Sequence, residues 1–381
     1  MARHTHPPSR ALARLLRARR QELGLSLREI EERAAAEGSP IPFSTLSKIE
    51  QGKAEPGLRR LVLLLRLYNL PVELAGELLE VEELAGDDPV QEDPEALFEE
   101  GLEAVRRGDH KRGLANLIAL RYRTVDSAEH RLLRQKATLT LAITVANLGK
   151  TRLARRLAED LLFEPPHPSL LVNVLTLIGR TWRQLGSHEG ALAFLERAEA
   201  HVGPDEHGRR AWILHEKALV LQAQGDLDGA MRLIDAALEA YRAAGDHRGE
   251  GNGIGAKIKI AEQRGDLRGA LELALQGYAL AERRGYKHLS LYRTLDRGRI
   301  LFAMGDREGG LRVLNEGLAR AISLGDKDAQ FHAHYQLWKA HAALGDEERA
   351  RFEEGAARYF VRFVDEVSDA AREVRELLLG R

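Results

Sequence analysis

A Gly-Asp dipeptide recurs every 40 residues in the second half of the sequence, and this recurrence constrains the fold more than any other feature. It occurs at Gly225-Asp226, Gly265-Asp266, Gly305-Asp306 and Gly345-Asp346, and a small residue follows each glycine by five positions. Sequence typical of helices lies on both sides. Glycine provides the backbone geometry of a tight turn, and the small residue lets two helices approach closely. Each unit is therefore predicted to be a helix, a turn and a second helix.

Three looser copies of this turn occur upstream, at Gly108, Gly149 and Gly186, which makes seven turns. Such helix pairs cannot bury their apolar faces alone, so they must stack into a solenoid. The turn glycine with small residues seven before and five after it resembles the tetratricopeptide repeat, although each unit is longer than the roughly 34 residues common in that family. The resemblance implies a right-handed α-solenoid of about seven helix pairs over residues 95–381. Apolar residues at helical spacing predict a capping helix from Val361 to Leu379, and the alternative is that this helix forms a dimer contact.

The composition favours helices throughout. Aromatic residues make up only 5% of the 381 residues, while Leu, Ala, Arg and Glu dominate, so we expect an all-α protein. The absence of cysteine excludes disulfides and thiolate metal sites and fits a cytoplasmic protein. The longest apolar run, Leu61 to Leu65, is too short to span a membrane.

Charge divides the chain into three segments. Residues 1–70 contain 13 basic and 7 acidic residues, whereas residues 71–100 contain 12 acidic and no basic ones. The acidic stretch also contains Pro89 and Pro94, so it is a poor candidate for a core. We therefore predict a domain over residues 1–71, an acidic linker over 72–94 and the repeat domain over 95–381. The acidic cluster could also repel DNA from the repeats or rest against the basic domain, but a soluble spacer is favoured.

Four helices are predicted in the basic segment, near residues 10–23, 27–36, 43–51 and 58–70. Ser26 and Glu29 have the spacing of a capping box, and Gly52 closes the third helix. The run from Gly24 to Ile30, the run from Ser44 to Gly52, and a Leu-rich helix ending at Pro71 resemble the XRE (Cro/repressor-like) helix-turn-helix family. The turn between the second and third helices is about five residues longer than the family norm.

The resemblance implies that the third helix enters the major groove of DNA. Its exposed early positions would read base edges, and basic residues elsewhere would contact phosphates. The implied base-reading residues are Phe43, Ser44 and Lys48, and the implied phosphate contacts are Arg28, Lys53 and Arg59. The alternative is that these residues form the solvated face of a small helical domain.

In tetratricopeptide arrays the first helix of each pair lines a concave groove, and counting back from each turn glycine gives the equivalent positions here. The resulting candidates are Asn173, Arg180, His215, Asn252, Lys259, Tyr292, Arg299, Tyr335 and Lys339. Amides, aromatic rings and cations along one channel suit an extended peptide. Four cations share one register, which predicts a positive row selecting an acidic ligand. The alternative is a groove without a ligand.

Signals for catalysis are weak. The glycine-rich stretch 249–257 lacks the adjacent Gly-Lys-Ser/Thr and the preceding strand of a phosphate loop. His332, His334 and His341 do not have the one-face spacing of a metal site. We therefore expect no cofactor, no metal and no enzyme activity.

An XRE domain followed by such repeats is similar to the bacterial peptide-pheromone receptor regulators often called the RRNPP group. The resemblance implies a homodimeric transcription regulator whose partners are double-stranded DNA and a peptide or protein ligand in the groove, with no membrane partner. Two alternatives stay open: a DNA-binding regulator whose repeats dock another protein, and a repeat scaffold that does not bind DNA.

Overall fold

Helices form all the regular structure among the residues that the structure describes. The computed structural model describes residues 8–124, 127–364 and 368–379, and these contain twenty α-helices, one 3-10 helix and no strand. The predicted all-α class is confirmed. The helices group into two compact units, Met1–Glu164 and Pro165–Arg381.

The first four helices of unit 1 enclose one small apolar core. They are α1 (Arg10–Glu22), α2 (Leu27–Ala36), α3 (Phe43–Glu50) and α4 (Leu58–Leu67). Each contributes at least one fully buried side chain, and the largest are Leu16, Ile30, Leu46, Leu64 and Tyr68. Burying one such aliphatic side chain contributes about 1.5–3 kcal/mol, so these contacts fix the relative positions of the four helices.

Local hydrogen bonds set where α2 and α3 begin. The predicted capping box is present, because Ser26 Oγ accepts from the N–H of Glu29 at 3.2 Å and Glu29 Oε2 accepts from the N–H of Ser26 at 2.6 Å. The N-cap of α3 is Pro42, whose side chain cannot accept. Instead Glu31 of α2 reaches across, and its Oε1 accepts from the N–H of Phe43 at 2.9 Å. A carboxylate at the positive end of the α3 dipole stabilises this helix start.

The long turn between α2 and α3 is anchored to the core. It spans residues 37–42, as the sequence predicts, and Gly38 takes the left-handed conformation there with φ of 72°. Ile41 is fully buried among the core residues. The extra residues of this turn therefore hold a fixed position through Ile41.

A helix occupies most of the segment predicted as an acidic linker. Helix α5 (Val72–Ala85) buries Leu74, Ala75 and Val81, and its carboxylates bind neighbouring elements of unit 1. Glu77 Oε2 accepts from the N–H of Leu153 at 2.7 Å, and Glu80 forms an ion pair with Lys150. The expectation of a plain spacer is therefore wrong for residues 72–85, because partners far along the chain neutralise these acids. The domain boundaries themselves stay a prediction.

Seven helix pairs follow, as predicted, two in unit 1 and five in unit 2. The two pairs of unit 1 are α6 (Pro94–Arg107) with α7 (His110–Arg123), and α8 (Arg131–Asn147) with α9 (Thr151–Phe163). The first helices in unit 2 are α10 (Pro168–Gln184), α12 (His207–Gln224), α14 (His247–Gln263), α16 (Lys287–Ala303) and α18 (Lys327–Leu344). The second helices are α11 (His188–Glu199), α13 (Leu227–Ala243), α15 (Leu267–Arg284), α17 (Arg307–Leu324) and α19 (Glu347–Phe360).

The Gly-Asp dipeptide ends one helix and starts the next. Gly225 is left-handed, with φ of 85°, and closes α12. Asp226 then caps α13, because its Oδ1 accepts from the N–H of Gly229 at 2.8 Å. The same device appears between pairs, where Asp246 caps α14 and Asp326 caps α18. The turn glycines were predicted from the sequence, but the capping role of the aspartates was not.

The C-terminal cap is shorter than predicted. Instead of one helix from Val361 to Leu379, the chain forms the 3-10 helix η1 (Val361–Phe363) and then α20 (Asp369–Leu378). Val361, Val364, Ala371 and Val374 pack together and cover the last pair, so the capping function is retained in two pieces. Val367, which the sequence also assigned to this helix, lies outside the described residues.

Candidate functional site

Helix α3 presents the three predicted base-reading residues to solvent. Phe43 is 46% exposed, and Ser44 and Lys48 are also exposed. Leu46 and Ile49 of the same helix point into the core. The helix therefore has one buried face and one open face that carries a ring, a hydroxyl and an ammonium group.

The three predicted phosphate contacts are also exposed. Among the described residues, neither Arg28, Lys53, Arg59 nor Lys48 has an ion-pair partner within 4.0 Å. These cations are thus available to an external anion such as a phosphate.

Other basic residues of the same four helices have structural partners. Arg20 of α1 is 14% exposed and its Nε lies 2.8 Å from Glu50 Oε1 at the end of α3. Tyr68 donates its hydroxyl to the same oxygen at 2.9 Å. Burial, with the nearby Glu50 carboxylate, raises the pKa of Tyr68 far above its usual range, so this hydroxyl stays a donor. The network ties α1, α3 and the end of α4 together.

In unit 2, the first helices of consecutive pairs contact one another in the order α10, α12, α14, α16, α18. We call the surface formed by these helices the first-helix face. All nine predicted ligand residues lie on its helices.

The predicted positive row on the first-helix face is largely neutralised. Arg180 lies 3.9 Å from Glu216, which also binds Arg183. Arg299 pairs with Glu262 of the preceding first helix and, at 2.9 Å, with Asp296. Lys339 pairs with Glu373 of α20. Since three of the four cations have carboxylate partners, the four do not form one open positive field.

Lys259 is the exception in that row. Lys259 is exposed, and it has no ion-pair partner within 4.0 Å among the described residues. It is the member of the row that is open to an external carboxylate.

The predicted aromatic candidates and His215 are engaged by neighbouring side chains. Tyr292 donates its hydroxyl to Asp328 at 2.5 Å, and Tyr335 donates to Glu373 at 2.6 Å. His215 Nδ1 lies 3.3 Å from the hydroxyl of Tyr241 on α13. These contacts order the first-helix face.

The two predicted asparagines line an open pocket. This pocket has a volume of about 350 Å³ and lies between the N-terminal halves of α10, α12 and α14. Its polar and aromatic lining consists of Asn173, Arg209, Trp212, Tyr241, Asp246, Arg248 and Asn252. Neither asparagine amide forms a hydrogen bond with another described residue. The two amides lie on α10 and α14, on either side of the helix α12 that carries Trp212, and they can pair with the backbone of a peptide bound in the pocket.

Charges around this pocket are of two kinds. Arg209 donates to the carbonyl of Ser169 and pairs with Glu206, so it is held in place. Arg248 is exposed and has no ion-pair partner within 4.0 Å among the described residues. Asp246 is occupied in capping α14. The free guanidinium of Arg248 is therefore suited to a carboxylate of a ligand.

Next to Trp212 of the pocket lining, Glu216 stays ionised although it is buried. Burial acts to raise its pKa, but Arg183 and Arg180 outweigh that effect and hold the pKa below its usual value. Burial lowers the pKa of His215 beside it, so this imidazole is neutral near pH 7. Glu216 beside the pocket is thus held by ion pairs with residues of its own chain.

The sequence did not indicate several residues of this face. It placed Arg180 and Arg299 correctly on their helices, yet not their partners Glu216 and Glu262. It also did not select Arg248, which lies one turn before Asn252. Glu216 and Asp296 each lie nine positions before a turn glycine, whereas Glu262 lies three positions before one, so the 40-residue register could have indicated only the first two.

Within the part of the chain that the structure describes, no group of three or more metal-ligating side chains comes together. No helix among the described residues is both long and apolar enough to cross a bilayer.

A comparison with protein families assigns the N-terminal module. Residues 16–74 match the family model described as helix-turn-helix. These residues form a helix-turn-helix domain. The match includes α2, the long turn and α3, which confirms the resemblance on which the six DNA-contact candidates rest. No curated protein matches the sequence.

Solved structures with a similar fold support the assignment of the repeats. A Rap protein complexed with competence and sporulation factor matches with a TM-score of 0.55 and 14% identity, over 75% of this chain and 86% of that one. The apo form of RapI matches with a TM-score of 0.50 and 11% identity, over 75% and 85%. PlcR of Bacillus thuringiensis, in complex with the peptide PapR7 and DNA, shows a weaker likeness, with a TM-score of 0.40, 13% identity and coverage of 74% and 98%. The first two likenesses show that the repeats share the fold of Rap proteins.

Proposed function

We propose that this chain is a sequence-specific DNA-binding transcription regulator whose first-helix face binds a peptide ligand. The observation that carries the proposal is the pairing of two open sites on one chain: the exposed face of α3 within a helix-turn-helix domain, and the pocket between Asn173 and Asn252. Charged groups beside each site, such as Arg20 and Arg209, have partners that hold the scaffold in place.

The DNA half rests on α3 and the residues around it. Lys48 can donate to acceptors on base edges, Ser44 can donate or accept, and the ring of Phe43 can contact a thymine methyl group. Arg28, Lys53 and Arg59 supply cations without internal partners among the described residues, which suits contacts to phosphate oxygens. The Arg20–Glu50–Tyr68 network keeps α3 rigid, so these side chains meet DNA at fixed positions.

The ligand half rests on the pocket of about 350 Å³. A peptide backbone has donors and acceptors that the amides of Asn173 and Asn252 can satisfy, and Trp212 offers a surface to an apolar or basic side chain. Arg248 and Lys259 provide free positive charge for a carboxylate. The Rap protein of similar fold was crystallised with competence and sporulation factor, which supports a ligand for repeats of this fold.

The regulator acts as a homodimer in the cytoplasm under this proposal. Helix-turn-helix domains that recognise two half-sites do so as dimers, with half-sites separated by whole turns of DNA, ~34 Å each. A ligand that binds one conformation of the repeats better than another would shift DNA binding. No cofactor and no catalytic step is needed.

Genome-wide mapping of the DNA bound by the full chain, in parallel with the Lys48→Ala variant, tests the proposal. The wild-type chain should occupy a limited set of sites that share a sequence, and Lys48→Ala should lose or change that sequence while the variant stays folded. Uniform, sequence-independent occupancy by both proteins would refute sequence-specific recognition. Absence of any bound DNA would favour a repeat scaffold that does not bind DNA.

A further inference from the structure

Helix α19, the second helix of the last pair, has an exposed aromatic stripe. Phe352 is 70% exposed, Tyr359 is 52% exposed, and Phe363 in the adjoining η1 is 48% exposed. Positions 352, 355, 359 and 363 follow the spacing of one helical face. We call this surface the α19 stripe. The opposite face of the helix is buried through Ala350, Glu353 and Ala357, so the helix is already anchored to its own chain.

The middle of the α19 stripe is low and open. A Cβ atom at Gly355 would have no neighbouring atom within 4 Å. A glycine flanked by large rings on the same face leaves a hollow into which a second helix can settle. Single exposed rings are ordinary on protein surfaces, but three on one line with a central hollow form a contiguous patch.

The two ends of the stripe have opposite charge, and one charge at each end is unpaired. Glu347 pairs with Arg351 and Arg358 pairs with Glu354, so these four residues neutralise one another within the chain. Glu348 at the N-terminal end has no ion-pair partner within 4.0 Å among the described residues. The same holds for Arg362 at the C-terminal end, whose guanidinium lies 4.2 Å from the centre of the Tyr359 ring.

We propose that the α19 stripe is the surface through which two copies of this chain associate, with the two α19 helices antiparallel across a twofold axis near Gly355. The aromatic rings and the end charges of the stripe match those of a second, antiparallel copy. In that arrangement Phe352 of each copy faces Tyr359 of the other, because the two residues lie at nearly equal distances from Gly355.

The charges specify the antiparallel orientation. Antiparallel pairing brings Glu348 of each copy to Arg362 of the other, which forms two equivalent ion pairs, whereas parallel pairing would place like charges together. A twofold contact is self-complementary in this way, so every favourable pair occurs twice. Antiparallel helices also place opposite ends of their dipoles side by side.

The size of the stripe predicts a weak dimer. A buried aromatic side chain covers ~150–250 Å². Three rings that are about half to two-thirds exposed therefore supply less than the roughly 800 Å² per partner of a stable interface. The contact should form in a concentration-dependent way and become tighter when two half-sites on one DNA hold both copies.

Charge-reversal variants studied by sedimentation equilibrium of the full chain, without DNA or peptide, test this proposal. Glu348→Arg and Arg362→Glu each create two like-charge contacts per dimer, so each should raise the dimer dissociation constant about tenfold or more. An equimolar mixture of the two variants should form heterodimers as readily as the wild type, because each of the two contacts then joins an arginine of one copy to a glutamate of the other. Ile322→Glu, at an exposed apolar position on α17, is the matched control and should leave the dissociation constant unchanged.

Three results would overturn the proposal: a chain that stays monomeric at the highest soluble concentration, single reversals that do not weaken the dimer, or a mixture that does not restore it. The proposal rests on the proposed function only in expecting two copies of the regulator. Because the measurement involves no DNA, loss of this interface would leave sequence-specific binding standing, and failure of DNA binding would leave the interface standing.

Discussion

The guanidinium of Arg20 on α1 and the carboxylate of Glu50 on α3 form a bidentate ion pair inside the helix-turn-helix domain. Arg20 Nε lies 2.8 Å from Oε1 and Nη2 lies 2.8 Å from Oε2, and the remaining Nη1 donates to the carbonyl of Leu25 at 2.7 Å. Glu50 is only 7% exposed and also accepts from Tyr68. This pair joins the helix predicted to read DNA to the rest of its domain.

Replacing Glu50 by Ala should therefore loosen α3. The change leaves the Arg20 charge and the Tyr68 hydroxyl without their partner in a mostly buried site, and removing one member of a buried pair costs about 3–5 kcal/mol. Since Arg20 retains some exposure, the lower end of that range is expected. Hydrogen exchange of the α1 and α3 amides in the full chain measures this loss of stability. Arg66→Ala, which breaks the exposed Arg66–Glu37 pair, should cost only ~0–1 kcal/mol. Equal protection in all three proteins would contradict this role for Glu50.

Lys48 and Arg59 should differ in how they affect DNA binding. Lys48→Ala should cost about 1–3 kcal/mol at one base position of the preferred site and little on random DNA. Arg59→Ala should weaken binding to all sequences and lower the salt dependence by about one counterion. Competition titrations with single-base variants of the site measure both effects. The assignment fails if Lys48→Ala weakens specific and random duplexes equally.

Asn173 and Asn252 should both be needed for binding of a peptide on the first-helix face. Each amide can form a pair of hydrogen bonds with a peptide group, so each substitution by Ala should weaken binding by about 1–2 kcal/mol. Asn315→Ala, on an exposed position of α17 away from this pocket, is the control. Calorimetric titration with a peptide that alters DNA binding supplies the measurement. Unchanged affinity in both pocket variants would place the ligand elsewhere.

Arg299 and Lys259 should respond differently to charge reversal, although they occupy equivalent positions in neighbouring repeats. Arg299→Glu puts a third carboxylate beside Glu262 and Asp296, which are each 14% exposed. It should lower the stability of the repeats by at least about 3 kcal/mol. Lys259→Glu removes no ion pair and should have little effect on stability. Urea unfolding of both variants, followed by circular dichroism, distinguishes them.

The stability of the repeats should fall between pH 7 and pH 5 because of His215. Burial lowers the pKa of His215 below its ordinary value of 6.5, so the unfolded chain takes up a proton at a higher pH than the folded chain. Stability is therefore fully present above pH ~6.5 and is lost as the pH falls below that value, by at most ~1.4 kcal/mol per pH unit. Burial also lowers the pKa of His332, so this residue contributes to the same loss of stability at low pH. The thermal unfolding midpoint, measured at several pH values across this range, should fall less steeply with decreasing pH for His215→Gln than for the wild type. His201→Gln, at an exposed position, is the control and should leave that pH dependence unaltered.

The features that the sequence predicted correctly depend on local chemistry. Gly225 sets a turn, and Ser26 with Glu29 sets a helix start, through residues within four positions of each other. Such signals are complete in a short window of sequence. For the same reason the number of helix pairs was predicted correctly. The C-terminal cap depends on contacts with α18, and it was wrongly predicted as one long helix.

The features that the sequence did not predict depend on partners far along the chain. Glu262 and Arg299 are 37 positions apart, and Glu77 accepts from a backbone group 76 positions away. Whether a charged residue is free or paired is settled only when helices stack. For this reason the sequence could place Arg299 on the first-helix face but could not show that its charge is already neutralised, and it treated the acids of α5 as a spacer.

Equilibrium binding of the full chain to its mapped DNA site, compared with a shuffled duplex at two salt concentrations, tests the central claim most directly. The account predicts that the mapped site is bound at least about a thousandfold more tightly than the shuffled one, a ratio typical of specific recognition. It also predicts that affinity for both falls as salt rises. Equal affinity for the two duplexes, or no salt-dependent binding to either, would contradict the claim that α3 reads DNA sequence.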